Sequence, residues 1–187
     1  MFSREESLKF LKEHNKEKTH IRHAFAVEAA MRAFARYFDE DEEYWGLIGL
    51  MHDIDWEEFP SIETHPMKGA EMLTNLGYPE DFVRAVLAHG WESSGVKPET
   101  LCEKTLYTVD ELTGFITAVA LVRPSKSLMD LEVKSVKKKW KDKGFARGVN
   151  RAIIEKGSEL MGEPLETLIS LTIEALKPIE NNLGLGA

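Results

Sequence analysis

A single cysteine, Cys102, stands in a chain of 187 residues. It cannot close an internal disulfide and offers no zinc-finger spacing, so a reducing, cytoplasmic setting is expected. No stretch approaches the roughly 18 apolar residues of a membrane span, and residues 1–6 lack an apolar signal region. No run alternates long enough for a strand, and no segment repeats another. A disulfide-built secreted fold, an integral membrane protein, a sheet-based fold and a solenoid are thereby set aside.

What is present is ordinary in bulk and uneven in charge. The hydrophobic fraction of 43% and charged fraction of 30% suit a globular domain, and the length suits one domain better than two. The net charge is −8, from 24 basic and 32 acidic residues. Residues 123–156 hold eleven Lys or Arg against four Asp or Glu, which leaves 13 basic and 28 acidic residues elsewhere. An acidic body with one basic segment fits the local handling of a small anion. A nucleic-acid coat would be basic over more of its surface, so nucleic acid is not an expected partner.

The periodicity is helical throughout. Ser3-Arg4-Glu5-Glu6 has the spacing of a capping box. Ala24, Val27, Met31, Phe34, Ala35 and Phe38 recur at three- and four-residue steps and predict a helix over 19–38. The run Tyr44–Met51 is apolar on almost every side and reads as a helix buried at the domain centre, ending at His52-Asp53. Pro66 is placed for a helix start near Thr64 or His65, with Gly77 at its end. Further helices are expected over 79–89, 98–122, 130–143, 147–161 and 164–179, with a frayed tail after them. The fold class is all-α, with residues 1–124 as a helical core and 125–187 as a C-terminal helical extension packed on the same domain.

A carboxylate at the inner end of a core helix is costly to bury without a cation against it. His52 and Asp53 sit side by side at such an end. His23 lies on the second helix close to its apolar stripe, His65 begins one helix, His89 ends another, and Asp110 sits among Leu106, Val109 and Leu112. Each has an ordinary explanation alone. His23 would be a satisfied core histidine, Asp110 a partner for arginine or a cap, His65 a cap residue and His89 a helix-end imidazole. Together they would leave several desolvated polar groups unpaired unless a metal ion gathers them. Helices that each contribute one side chain to a shared cavity are how metal-binding bundles are built.

The ordered series His23, then His52-Asp53-Ile54-Asp55, then Asp110 resembles the pattern of the HD-domain metal-dependent phosphohydrolases over roughly residues 19–122. His65-Pro66-Met67-Lys68-Gly69-Ala70 and His89 resemble the additional histidines of two-metal members. The glycine-tyrosine-proline signature of the cyclic-dinucleotide phosphodiesterases is missing, because Gly90-Trp91-Glu92 follows His89. The resemblance implies an HD-type helical bundle for residues 1–124. It implies that His23, His52, Asp53 and Asp110 hold one metal, and that Asp53 bridges to a second completed by His65 and His89. Imidazole and carboxylate ligands accept Fe, Mn, Zn, Co or Ni alike, so the set does not name the metal or decide between one ion and two.

Around these ligands, Asp53 and Asp55 are the expected catalytic acids, Asp55 managing a proton or orienting water, with a turn or cap role as its ordinary explanation. Arg22, Lys68 and Arg147 are the expected substrate clamps, although Arg22 and Lys68 also read as solvated surface. Glu92 is expected to support a ligand histidine. The lysine-rich stretch 134–143 reads as a solvated helix face, and the following Gly144-Phe145-Ala146-Arg147-Gly148 as a flexible lid carrying Arg147. The expected activity is metal-dependent hydrolysis of a small phosphorylated compound, with a nucleotide among the candidates. The rivals are a mixed-valent di-iron oxygenase of the same fold and a non-catalytic metal- or ligand-binding regulatory module. Neither the substrate nor the oligomeric state is legible.

Overall fold

The protein is described by a computed structural model over residues 2–186. These residues form ten helices and no strand: α1 (Arg4–His14), α2 (Lys18–Phe38), α3 (Glu42–Met51), α4 (Met67–Leu76), α5 (Glu80–His89), α6 (Trp91–Ser94), α7 (Leu101–Leu121), α8 (Val133–Trp140), α9 (Arg151–Met161) and α10 (Leu165–Leu176). A 3₁₀ turn, Lys177–Ile179, follows. The all-α class read from periodicity is what the chain adopts. Among the described residues no helix is long and apolar enough to cross a membrane.

The start of α1 is the expected capping box, with Ser3 Oγ accepting from Glu6 N–H and Glu6 Oε2 accepting from Ser3 N–H. The all-round apolar α3 is buried from Trp45 to Met51. Gly49 lets it approach α2 closely: a Cβ there would lie 2.9 Å from Val27 O. The other organising element is α7, whose Leu106, Val109, Leu112, Phe115, Ile116 and Val119 are buried and which packs against α2, α5, α9 and α10. At its contact with α9, Gly157 lies against Thr108, where a Cβ would fall 1.9 Å from the Thr108 hydroxyl.

Several helix ends differ from the sequence reading, each for a local reason. The start of α7 falls at Leu101 because Thr100 and Glu103 form a second capping box. The start of α9 falls at Arg151, capped by the Asn150 side chain. After His89 the chain does not go straight to loop but makes the short α6. In α8 Val136 is buried and the lysines lie outward or half-exposed, as a solvated helix face requires. The tail is not frayed within the described residues. Leu183 and Leu185 are buried, and Gly186 N–H donates to Lys126 O at 2.8 Å.

Glu103 ties three elements together at the start of α7. Its Oε2 accepts from Glu99 N–H at 2.7 Å and Thr100 N–H at 3.0 Å, and its Oε1 accepts from Arg84 on α5. Burial pushes this carboxyl up, but Arg84 and the two backbone donors outweigh it and hold its pKa below the usual value. A depressed folded pKa contributes stability above the unfolded pKa and loses it as pH falls through the folded one. Glu103→Gln should therefore lower stability at pH 7 by about 1–3 kcal/mol, measured by urea unfolding. The gap to wild type should narrow as the medium is acidified below the ordinary carboxylate range, and a gap independent of pH would remove the charge-assisted account.

Candidate metal centre

The site begins at the end of α3. His52 is fully buried, and its Nδ1 lies 2.8 Å from Gly49 O. A carbonyl only accepts, so Nδ1 carries the proton and Nε2 keeps its lone pair. That lone pair faces His23 Nε2 at 3.2 Å, Asp53 Oδ1 at 3.3 Å and Asp110 Oδ1 at 3.4 Å. The end of α5 repeats the device. His89 Nδ1 donates to Val86 O, also three residues back, and Nε2 faces His65 Nε2 at 3.0 Å and Asp53 Oδ1 at 3.5 Å.

The remaining donors come from three further elements. His65, in the turns before α4, sets Nε2 3.4 Å from Asp53 Oδ1. His23, on α2, sets Nε2 2.8 Å from Asp110 Oδ1 and 3.7 Å from Asp53 Oδ2. Asp110 is supplied by α7. Asp53 thus turns Oδ2 toward His23 and Oδ1 toward His52, His65 and His89. Two donor groups fall within 4.8 Å internally: His23, His52 and Asp110, and His52, Asp53 and His89.

The electrostatics ask for a cation. Lone pairs that face one another across about 3 Å repel, and only protons or a metal ion can sit between them. Burial favours neutral His52, yet the Asp53 charge and the Asp110 bond raise its pKa well above the ordinary value. Burial likewise pushes Asp53 and Asp110 up, and the facing imidazoles override it and hold both carboxyls well below their usual range. A metal ion fits the same place. Ligand bonds of about 2.1 Å put neighbouring donors roughly 3 Å apart, and the donors converge at that spacing. The His52 and His89 rings have their Nδ1 protons anchored on carbonyls, the arrangement that aims Nε2 at a metal.

The centre lies at the base of a cavity of about 740 Å³, within the range of small-molecule sites. Its floor is His23, Asp53, His65, His89 and Asp110, and its walls include Trp56, Ile62, Tyr107, Val149 and Ile153. Glu63, Glu92 and Glu111 also line it, and no described Lys or Arg does. Burial, then the Asp110 charge, push the Glu111 carboxyl up to about 7, and the Asn150 N–H bound to it works in the opposite direction.

The structure thus brings together all six residues expected to ligate metal, and separates the others. Asp55 does not reach the cavity. It is fully buried, with Oδ1 2.9 Å from His65 Nδ1 and Oδ2 accepting from Gly69 N–H at 2.8 Å in the first turn of α4. Both oxygens are engaged away from the cavity, so the proton-handling expectation is replaced by a positioning role for the His65 ring. Burial lowers the His65 pKa, and the Asp55 bond and Asp53 charge reverse that and raise it.

Lys68 pairs with Glu71 at 2.7 Å and does not line the cavity. Arg147 is exposed and outside it as well. The expected lid is tied down: Arg151 donates to Asp142 O at 3.0 Å and Phe145 O at 2.7 Å, while its guanidinium stacks over Phe115. Arg22 lies beside the site in a separate groove. Glu92 accepts from Tyr107 Oη at 2.7 Å and touches no histidine.

Sequence reasoning missed His20, Tyr107, Glu111 and Gly114 as cavity residues. A signal existed for them. His20 stands one helical turn before His23, and Tyr107 and Gly114 lie three residues before and four after Asp110, on the same face of α7. Val149 and Ile153 had no such signal, because only the docking of α9 on α7 brings them in.

The family model described as HD domain matches residues 20–114, the stretch that holds all six converging ligands. No curated protein and no solved structure matches the chain.

The Asp55–His65 contact generates a direct test. Asp55→Ala should weaken divalent-metal binding about 10- to 100-fold, read by competition with a chromogenic chelator. Undiminished affinity in a folded variant would refute the positioning role.

Proposed function

The chain belongs to the HD domain family of metal-dependent hydrolases, and from that premise we propose that it cleaves a phosphoester or phosphoanhydride of a small phosphorylated compound with water as the acceptor. The observation that supports this reading best is the double convergence on Asp53, where four imidazole Nε2 atoms and the Asp110 carboxylate surround a carboxylate at the floor of an open cavity. His23, His52, Asp53 and Asp110 would hold one divalent ion. Asp53, His65 and His89 would hold a second. Such ions supply Lewis acidity toward water and toward a phosphoryl oxygen.

The chain's own residues do the remaining work. Gly49 O and Val86 O keep His52 and His89 in the tautomer that leaves Nε2 free. Asp55 does the same for His65 through its carboxylate. Trp56, Ile62, Tyr107, Val149 and Ile153 give the cavity an apolar wall against which the organic body of a substrate can exclude water. Glu63, Glu92 and Glu111 line the cavity and no described Lys or Arg does, so a bound divalent ion would be the main attraction for a phosphate there. Phosphate should enter only when divalent metal is bound.

Two outcomes follow for purified protein. His52→Ala and Asp53→Ala should each abolish cleavage across a panel of phosphomonoesters, nucleotides and dinucleotides, measured as phosphate released from the monoesters and as product nucleotides separated by chromatography for the dinucleotides. Full activity in either variant would refute the assignment. Calorimetric binding of inorganic phosphate should appear on loading with Mn²⁺ and vanish on chelation. Oxygen uptake by iron-loaded protein in place of phosphate release would favour the oxygenase rival, and metal binding with neither reaction would favour a regulatory module.

A further inference from the structure

Five glycines lie inside helices α3, α4, α7 and α9, and four of them are required by packing. A Cβ would meet Arg32 Nε at 2.7 Å on Gly46, Val27 O at 2.9 Å on Gly49, Asp55 Oδ1 at 2.9 Å on Gly69 and Thr108 Oγ1 at 1.9 Å on Gly157. The fifth, Gly114, is different. It sits within the 21-residue α7, where glycine costs roughly 1 kcal/mol relative to alanine, and a Cβ there would meet only Val149 Cγ2, at a relaxed 3.8 Å. Neither backbone conformation nor packing asks for it. What a side chain at 114 would occupy is open space above the metal centre.

Two cavities meet at that residue. Gly114 and His23 line both the main cavity and a second one of about 270 Å³ between α2 and α7. The second is walled by Thr19, Ala26, Thr117 and Ala118 and carries Arg22. Among the described residues the Arg22 guanidinium has no hydrogen bond or ion pair. It rests against Gly184, where a Cβ would fall 2.7 Å away. Gly184 has a φ of 77° and belongs to the packed C-terminal tail, which holds the arginine beside the groove. No described Lys or Arg lines the main cavity, and Lys156 pairs with Glu92 of its lining at 3.5 Å, whereas Arg22 is the basic residue that lines the second groove itself.

We propose that the two cavities act as one elongated binding site joined over Gly114, taking a phosphorylated compound that bears a second anionic group, with Arg22 as the residue that recognises this group. Gly114 is then the specificity-determining position, because its missing side chain is what lets the body of the ligand pass between α2 and α7. The inference rests on the reading that the first phosphate sits at the metal centre. Phosphate and carboxylate share the chemistry that Arg22 would recognise, since a guanidinium pairs both in bidentate fashion.

The test uses Mn²⁺-loaded full-length protein and calorimetric binding, which needs no turnover. The probes are α,ω-alkanediol bisphosphates of increasing chain length, the corresponding monophosphates, and ω-phosphooxy carboxylates. At the best length a dianionic probe should bind at least about tenfold tighter than its monophosphate, the magnitude of a hydrogen bond to a charged group. The carboxylate arm tells which second anion is preferred. Arg22→Ala and Gly114→Leu should each erase that ratio, and Gly114→Leu should melt no lower than wild type because it gains helix propensity. Equal binding of mono- and dianionic probes at every length, or a preference that survives Arg22→Ala, would overturn the proposal. A preference without turnover of any probe would sink the hydrolase reading and keep the subsite. Turnover without a preference would do the reverse, and no binding of any probe overturns both.

Discussion

Two imidazole N–H groups, each donating to a carbonyl three residues earlier in the chain, set the terms for the whole molecule. The last turn of any helix leaves carbonyls without partners. At the end of α3 the ring of His52 takes up Gly49 O, and at the end of α5 the ring of His89 takes up Val86 O. One bond satisfies the helix end, fixes the tautomer and directs the other nitrogen inward. His65 reaches the same state through a buried carboxylate rather than a carbonyl. Three rings so constrained leave a place that only protons or a cation can fill.

The packing is arranged to bring those helix ends to one point. Because α3 is surrounded, it must be apolar on all sides, and because it must lie close to α2 it needs Gly49 against the Val27 carbonyl. That approach sets His23 beside His52. On its other side α7 delivers Asp110, and α9 then closes over α7 through Gly157 and brings Val149 and Ile153 to the cavity wall. The region after residue 124 therefore contributes to the wall of the candidate site, and its C-terminal tail seats Arg22. Burial, helix approach and ligand geometry are one set of constraints here.

What could be read from the sequence follows from where the chemistry is local. Helical periodicity is local, and so the all-α class was legible. His52 was legible because it stands beside a carboxylate at the inner end of a core helix, where burial is costly, whereas His65 and His89, each ordinary alone, became candidates only jointly with the other ligands and through the family resemblance. Asp55 was misjudged because its neighbour in sequence, Asp53, faces the centre, while the turns after α3 send Asp55 back to the His65 ring and the start of α4. The lid expectation failed on Arg151, which reads as one more basic residue. In the fold it is stacked on Phe115 and bonded to two carbonyls of the supposed lid. Leu183 and Leu185 look like a trailing end because the surface that buries them is assembled from distant segments. Substrate chemistry is the least local property of all, since it depends on walls drawn from α2, α7 and α9 together.

The claim on which this account stands is that the Nε2 atoms and carboxylates around Asp53 are positioned for metal. Anomalous diffraction from crystals grown without chelator, at wavelengths spanning the edges of Mn, Fe, Co, Ni and Zn, examines it most directly. The account predicts an anomalous peak about 2.1 Å from His52 Nε2 and an Asp53 oxygen, with the His52 and His89 rings still bonded to Gly49 O and Val86 O. Crystals soaked in divalent metal that show no peak there, with the imidazoles bonded to one another through protons, would contradict it.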